Sequence, residues 1–262
     1  MRYRPNGLLE RQLAPSSRTL YLTDMITVLA NPQRFLAFSR VAAPLLGAAA
    51  LILAAAGLWL GWSVPDDYQQ GATVRLMFIH LPSVFTGMLA YACLAGSAFF
   101  GLVFRHSLAD AAARAVAPLG AAFTLLGLIT GSFWGRPMWG AWWVWDARLT
   151  SFLVLFLLYI GYMALQAAID DETKAARASG ILALVGAVNL PIIHYSVVWW
   201  NSLHQGETLF TPGGPKTSAV YLWPIALMSF AYFAAFGALW MERVRGEIWR
   251  RRAAALAVQG AR

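Results

Sequence analysis

Six uncharged, strongly apolar runs dominate this chain and leave little choice of fold. They are Val41 to Trp62, Leu81 to Phe104, Ala115 to Phe133, Leu149 to Ile169, Ala178 to Leu203 and Thr217 to Met241. A helix of about 18 or more apolar residues spans a hydrocarbon core of roughly 30 Å, and each run reaches that length. The runs are continuous rather than alternating in ten-residue segments, so they fit a helix bundle and not a membrane barrel. The expected fold is therefore all-α and polytopic, with six transmembrane helices over residues 41–241, an N-terminal cytoplasmic or interfacial segment 1–40 and a basic cytoplasmic tail 242–262. With 59% hydrophobic and 12% charged residues, the chain has no material left for a separate soluble domain.

The positive charges set the orientation. The net charge of +8 would suit a nucleic-acid binder if it formed a patch on a soluble surface. Instead Arg2, Arg4, Arg11, Arg18, Arg34 and Arg40 precede the first run, and Arg243, Arg245, Arg250, Arg251, Arg252 and Arg262 follow the last. Arg105, Arg114, Lys174 and Arg177 fall on the same side, leaving only Arg75, Arg136, Arg148 and Lys216 opposite. Sixteen against four places both termini in the cytoplasm and argues against nucleic acid as a partner. The first run follows a long charged stretch, so it reads as a retained helix and not a cleavable signal. Leu20 to Ala30 and Phe35 to Phe38, on either side of Asn31-Pro32, suggest short interfacial helices.

Some chemistries are excluded at once. Cys93 is the single cysteine and lies in the second run, so there is neither a disulfide framework nor a CxxC pair. No phosphate-binding GxxxxGK[ST] motif occurs, so any ATP hydrolysis belongs to another subunit.

The outer loops carry the unusual residues. Trp134-Gly-Arg-Pro-Met-Trp139-Gly-Ala-Trp142-Trp143-Val-Trp145-Asp146 places five tryptophans in twelve residues, within an outer loop 134–148 between helices 3 and 4. An interfacial aromatic belt would populate both membrane faces, yet ten of the twelve tryptophans fall near the outer side. Large flat rings with few charges suit a large flat apolar ligand, since aromatic pairs add about 0.5–1.5 kcal/mol beyond area burial. Porphyrin has that shape. Gly135 and Gly140 allow the backbone to bend, and Pro137 stiffens the turn. Asp146 is expected to accept hydrogen bonds from indoles or backbone amides, or to pair with Arg148; a structural and a functional role both remain open.

Of four histidines, His106 lies beside Arg105 in an inner loop and reads as a solvated surface residue. His80 enters the second run at its outer end, and His194 lies six residues before Trp200, or about 9 Å along a helix at 1.5 Å per residue. Ionisable groups in the membrane are costly and mark function. Two neutral imidazoles at similar depth can ligate one haem iron from both faces. Zinc would want three or four ligands, and here only His80, His194, His204 and a few carboxylates are at hand. His204, with Gln205 and Glu207 nearby, is a spare ligand candidate. Arg75, Arg136 and Arg148 are candidates for the haem propionates, with interfacial snorkelling the plain alternative.

The run Trp134 to Thr150, with Asn189-Leu-Pro-Ile-Ile-His-Tyr-Ser-Val-Val-Trp-Trp-Asn-Ser-Leu-His-Gln-Gly206, resembles the haem exporter protein C (CcmC) family of bacterial cytochrome c maturation, within the wider group of WWD-domain haem handlers. The similarity extends over roughly residues 30–245. It implies haem b held at the periplasmic face of the bacterial inner membrane, with His80 and His194 as axial ligands to the iron. Trp134, Trp139, Trp142, Trp143, Trp145 and Asp146 would lie against the ring. It further implies delivery to the periplasmic haem chaperone CcmE, for covalent attachment there, within a complex with CcmA, CcmB and CcmD. No catalytic nucleophile is expected in this chain. A transporter that moves haem through its bundle, and a scaffold whose aromatic loop docks a partner, are the rival readings.

Overall fold

The computed structural model describes residues 31–260 apart from 205, 207 and 210. The suggested helix at Leu20 to Ala30 and the arginines Arg2 to Arg18 lie outside the described residues, as does Arg262. Helix α1 spans Pro32–Ser63, and a short 3-10 helix, Ala72–Leu76, leads directly into α2, Met77–Phe104. Then follow α3, Ser107–Trp139, α4, Ala147–Ala168, α5, Glu172–Gly186, α6, Asn189–Trp199, and α7, Ala219–Gly260. With α5 and α6 taken as one span, six helices are long and apolar enough to cross a membrane, and the described residues contain no strand beyond an isolated bridge between Asp67 and Gly71.

Local chemistry explains the boundaries. Asn31 caps α1 through its side chain, which accepts from the Gln33 amide at 2.9 Å, and Pro32 sits at the first helical position. Asn31-Pro32 thus starts the first long helix, and Phe35 to Phe38 belongs to it rather than to a separate interfacial piece. His106 is likewise more than a surface residue: its ring accepts from the Ala109 amide and caps α3. Between α5 and α6 the chain turns at Ala187 and Val188, four and three residues before Pro191. Proline offers no amide to the carbonyl four residues back and its ring crowds that turn. Pro118, by contrast, lies within an unbroken α3.

Without a hydrophobic drive between helices in lipid, close packing and interhelical hydrogen bonds hold such a bundle. Small residues provide the first: Ala90, Ala98, Ala113, Ala117, Ala121 and Ala183 are buried in the central core around Tyr91, Leu155 and Tyr159. For the second, the Tyr159 hydroxyl donates to the Gly87 carbonyl at 2.8 Å, Asn189 Nδ2 to the Ser151 carbonyl at 2.9 Å, and the Trp240 indole to the Ala112 carbonyl at 2.9 Å. Two smaller cores define the ends of the bundle. Phe35, Leu108, Val244 and Ile248 join the start of α1, the start of α3 and the far part of α7. Val64, Val74, Phe78 and Tyr221 join the end of α1, the start of α2 and the start of α7, with Trp134 of α3 packed against them. That second end carries Trp134 and the aromatic segment that follows it.

Candidate functional site

The aromatic segment is not a single loop. Helix α3 continues to Trp139, so Trp134, Gly135, Arg136 and Pro137 lie in its last turns. Only Gly140 to Trp145 is irregular, and Asp146 already caps α4. The bend falls on Gly140 alone, whose φ of 75° is the left-handed conformation that closes many helices. Its amide bonds back to the Arg136 carbonyl at 3.0 Å, and the Arg136 guanidinium returns to the Gly140 carbonyl. A side chain in that conformation costs about 1–2 kcal/mol. Gly140→Ala is expected to lower unfolding stability by that amount with the helices intact by circular dichroism; unchanged thermal unfolding would show that the bend does not depend on glycine.

The tryptophans divide by role. Trp134 donates its indole N–H to Gln70 Oε1 at 2.9 Å and meets the His80 ring edge-on at 5.6 Å. Trp139 meets the His204 ring at 4.8 Å. Trp142, Trp143 and Trp145 line a cleft of about 570 Å³ whose remaining wall is Leu128, Ile129, Ser132, Phe133 and Leu153, with neither His80 nor His194 in its lining, within the usual pocket range of about 300–1,000 Å³. Ser132 Oγ donates to the Trp142 carbonyl at 2.5 Å, fixing the irregular strand of chain to α3. Trp145 is 78% exposed, whereas the Trp143 indole N–H is buried without an acceptor among the described residues. A buried donor left unpaired costs about 1–3 kcal/mol, so this end of the cleft lacks an acceptor that a polar ligand edge could supply.

His80 sits half-buried between α2 and α3. Its Nδ1 is 3.1 Å from the Gly127 carbonyl and 3.2 Å from Thr130 Oγ1, whose own hydroxyl donates to the Leu126 carbonyl at 2.7 Å. A carbonyl can only accept, so Nδ1 carries the proton and Nε2 keeps its lone pair. That is the arrangement of metal-ligating histidines, in which the second ring nitrogen donates to a carbonyl or carboxylate. Gly131 allows the close fit, since a Cβ there would stand 2.8 Å from His80 Cε1. His194 is placed differently: exposed in the middle of α6, with its ring edge-on to Tyr195 at 4.6 Å. Arg148 binds that turn, donating from Nη2 to the His194 carbonyl at 3.1 Å and from Nε to Ser196 Oγ at 3.2 Å.

Asp146 gathers the neighbouring loop. Oδ1 accepts from the Leu149 amide at 2.7 Å, while Oδ2 accepts from the Ser202 hydroxyl at 2.7 Å and from His204 Nδ1 at 3.1 Å. Of the expected donors the backbone amide is present; the other two are a serine and a histidine, and no indole reaches this carboxylate. Burial acts to raise the Asp146 pKa, but these three donors outweigh it and hold the carboxyl below its usual value. His204 is pushed down by burial, and by Arg148, against the pull of Asp146. The pair is therefore a neutral imidazole donating to a carboxylate rather than an ion pair. Gln205 and Glu207 lie outside the described residues. Arg75 donates to Asp66 at 2.7 Å and to the Val64 carbonyl at 3.0 Å, tying down the connection between α1 and α2. Arg136 lies 5.8 Å over the Trp142 ring, at the rim of the cleft.

A family profile described as heme exporter protein C matches residues 25–259. The chain belongs to the heme exporter protein C family. It is 52% identical over 228 residues to a heme exporter protein C of Bradyrhizobium diazoefficiens, a stretch that covers 87% of each chain. It is 44% identical over 228 residues to one of Paracoccus denitrificans, covering 87% of this chain and 95% of that one. Against one of Escherichia coli K12 it is 54% identical over 161 residues, 62% of this chain and 66% of that one. Gln70, Thr130, Ser132 and Ser202 are polar partners in this family member's site that pattern reading does not single out. Gln70 sits in a loop with nothing to mark it, and the other three look like ordinary hydroxyls. His204 alone carried a signal, as a histidine beside the second motif.

Proposed function

We propose that this chain binds haem b at the periplasmic face of the bacterial inner membrane and presents it for covalent attachment to the chaperone CcmE, in a complex with CcmA, CcmB and CcmD. The observation that carries the reading is His80, held as the Nδ1–H tautomer beside Trp134 at the end of the bundle that carries the aromatic cleft. The orientation follows from the excess of arginine at the opposite end. The membership of a family named for haem export supplies the ligand class.

Haem would bring an iron that accepts imidazole ligands and a vinyl group open to attachment on the chaperone. The chain's own contribution is placement. His80 would offer Nε2 to the iron, with Gly127 and Thr130 fixing its ring, and His194, exposed in the middle of α6, is the second proposed iron ligand. Trp142, Trp143 and Trp145 line an apolar cleft at the same end of the bundle that neither histidine lines, and are proposed to cover the ring from beside them; Arg136 over Trp142 suits a propionate, and Arg148 and Arg75 are further candidates for that role. The exposed Trp145 leaves an edge of the site open to a partner. Presentation is favoured over passage through the bundle because the break at Ala187 and Val188 adjoins a core filled by Tyr91, Leu155 and Tyr159.

The test is the complex purified with its partner subunits, compared with a Trp142→Ala, Trp145→Ala variant. Haem content, read from its absorption spectrum, and haem loading of CcmE are expected to fall together in the variant. Retained haem with lost loading would make the aromatic segment a docking surface. A wild-type complex that never carries haem would overturn the reading.

A further inference from the structure

At the opposite, arginine-rich end of the bundle a second cavity of about 290 Å³ opens between α3, α4 and α7. Its polar lining is Arg114, Arg243, Tyr162 and Gln166, and its apolar lining includes Pro118 and Met163. We propose that it is a seat for an anionic phospholipid, with the headgroup phosphate between Arg114 and Arg243 and an acyl chain along Pro118 and Met163.

The charges already present do not neutralise the cavity. Glu247 accepts from Arg250 at 2.8 Å and from Arg251 at 2.9 Å, and Arg250 also reaches Glu172 at 2.9 Å. Arg114 Nε forms an ion pair with Glu247 at 3.6 Å, too long for a hydrogen bond, and is buried without a hydrogen-bond acceptor among the described residues. Asp110, one turn before Arg114 on α3, and Glu242, which pairs with Arg245, are two further carboxylates, so five arginines (Arg114, Arg243, Arg245, Arg250 and Arg251) meet four carboxylates among these residues. Arg243 spends Nε on the Ala115 carbonyl at 3.0 Å, which fixes its guanidinium while leaving its terminal amino groups for another acceptor. Gln166 donates from Nε2 to Ser179 Oγ at 2.6 Å and to Tyr162, but its Oε1 is buried and unpartnered.

The unmet needs are thus two guanidinium donors and one amide acceptor. A phosphate diester with a free hydroxyl on its headgroup satisfies both kinds, the phosphate taking charge-assisted bonds and the hydroxyl donating to Gln166. Position agrees: Arg243 comes two residues after Met241 closes the apolar run of α7, which is the depth of a phospholipid phosphate. Basic pockets between membrane helices are known seats for such headgroups. The proposal does not depend on the haem reading, which concerns the other end of the molecule.

The experiment is native mass spectrometry of the full chain, delipidated in detergent and offered phosphatidylglycerol, phosphatidylcholine or inorganic phosphate alone. Phosphatidylglycerol is expected to remain bound at least tenfold more than phosphatidylcholine, and to raise the unfolding temperature. Arg243→Gln is expected to remove that preference. Because this variant also gives up the bond to Ala115, Ala167→Trp serves as a second one that fills the cavity and keeps both arginines; it too should lose the lipid. Equal retention of the two lipids, full retention in both variants, or the same stabilisation by inorganic phosphate without lipid would each overturn the assignment.

Discussion

Replacing His80 by alanine is expected to reduce the haem carried by the purified complex tenfold or more and to shift the absorption of whatever remains. Removing only an outer-shell partner of a metal-bound histidine costs about 10–100-fold in affinity, and loss of the ligand itself should cost at least as much. Two further variants separate ligation from simple loss of packing. Thr130→Val removes one of the two groups around Nδ1 and leaves the imidazole in place, so it should weaken haem retention by about tenfold with no loss of fold. Gly131→Ala places a methyl group 2.8 Å from His80 Cε1 and must push the ring aside, so it should resemble His80→Ala in its spectrum. Exogenous imidazole is expected to restore absorption in His80→Ala, where it can occupy the vacated space. Unchanged haem content and spectrum in His80→Ala would rule out iron ligation at this position, whatever the other variants do.

How far the sequence led depends on the length scale of the signal. Apolar runs of helical length are long-range patterns and marked all six spans, and the resemblance in Trp134 to Thr150 and Asn189 to Gly206 marked the family. Boundaries were less legible because they rest on single side chains. Phe35 to Phe38 joined α1 because Asn31 caps the helix at Pro32. The aromatic segment, dense in Gly and Pro, looked like a loop; yet Pro137 is tolerated inside α3, and only Gly140 takes the conformation that stops the helix. The site divides in the same way. Residue types that are costly in a membrane, such as His80, stand out in a sequence. The groups that orient them do not: the Gly127 carbonyl has no side chain to read, and Gln70 meets Trp134 across a separation of 64 positions. Asp146 was legible as a position but not as a partner, since Ser202 and His204 reach it from beyond α6.

That partnership carries the largest expected effect on stability. Asp146→Ala removes the cap of α4, worth about 0.5–2 kcal/mol, and breaks two bonds from Ser202 and His204 to a carboxylate that is only 8% exposed. Bonds to a charged group contribute about 1.5–3 kcal/mol each before compensation, so a total loss on the order of 3 kcal/mol is expected in thermal or denaturant unfolding. Asp146→Asn keeps a capping oxygen and should lose less. A change below about 0.5 kcal/mol in the alanine variant would mean that the carboxylate does not hold the loop. Acid should act on the same contact in two stages. Burial holds His204 below 6.5 in the folded protein, so below that pH the unfolded chain takes up a proton that the folded one refuses, and stability falls. Asp146 is held below 3.8 by its donors; its contribution is complete above 3.8 and is lost as the pH drops through the lower folded value. His204→Gln should therefore lessen, without abolishing, the fall in stability below 6.5 while leaving the steeper acid limb, and because Trp139 packs on His204 at 4.8 Å, the tryptophan fluorescence should change more along the first limb in the wild-type protein than in the variant. A wild-type stability that stays level from pH 7 down to 4 would exclude His204 as the group that responds.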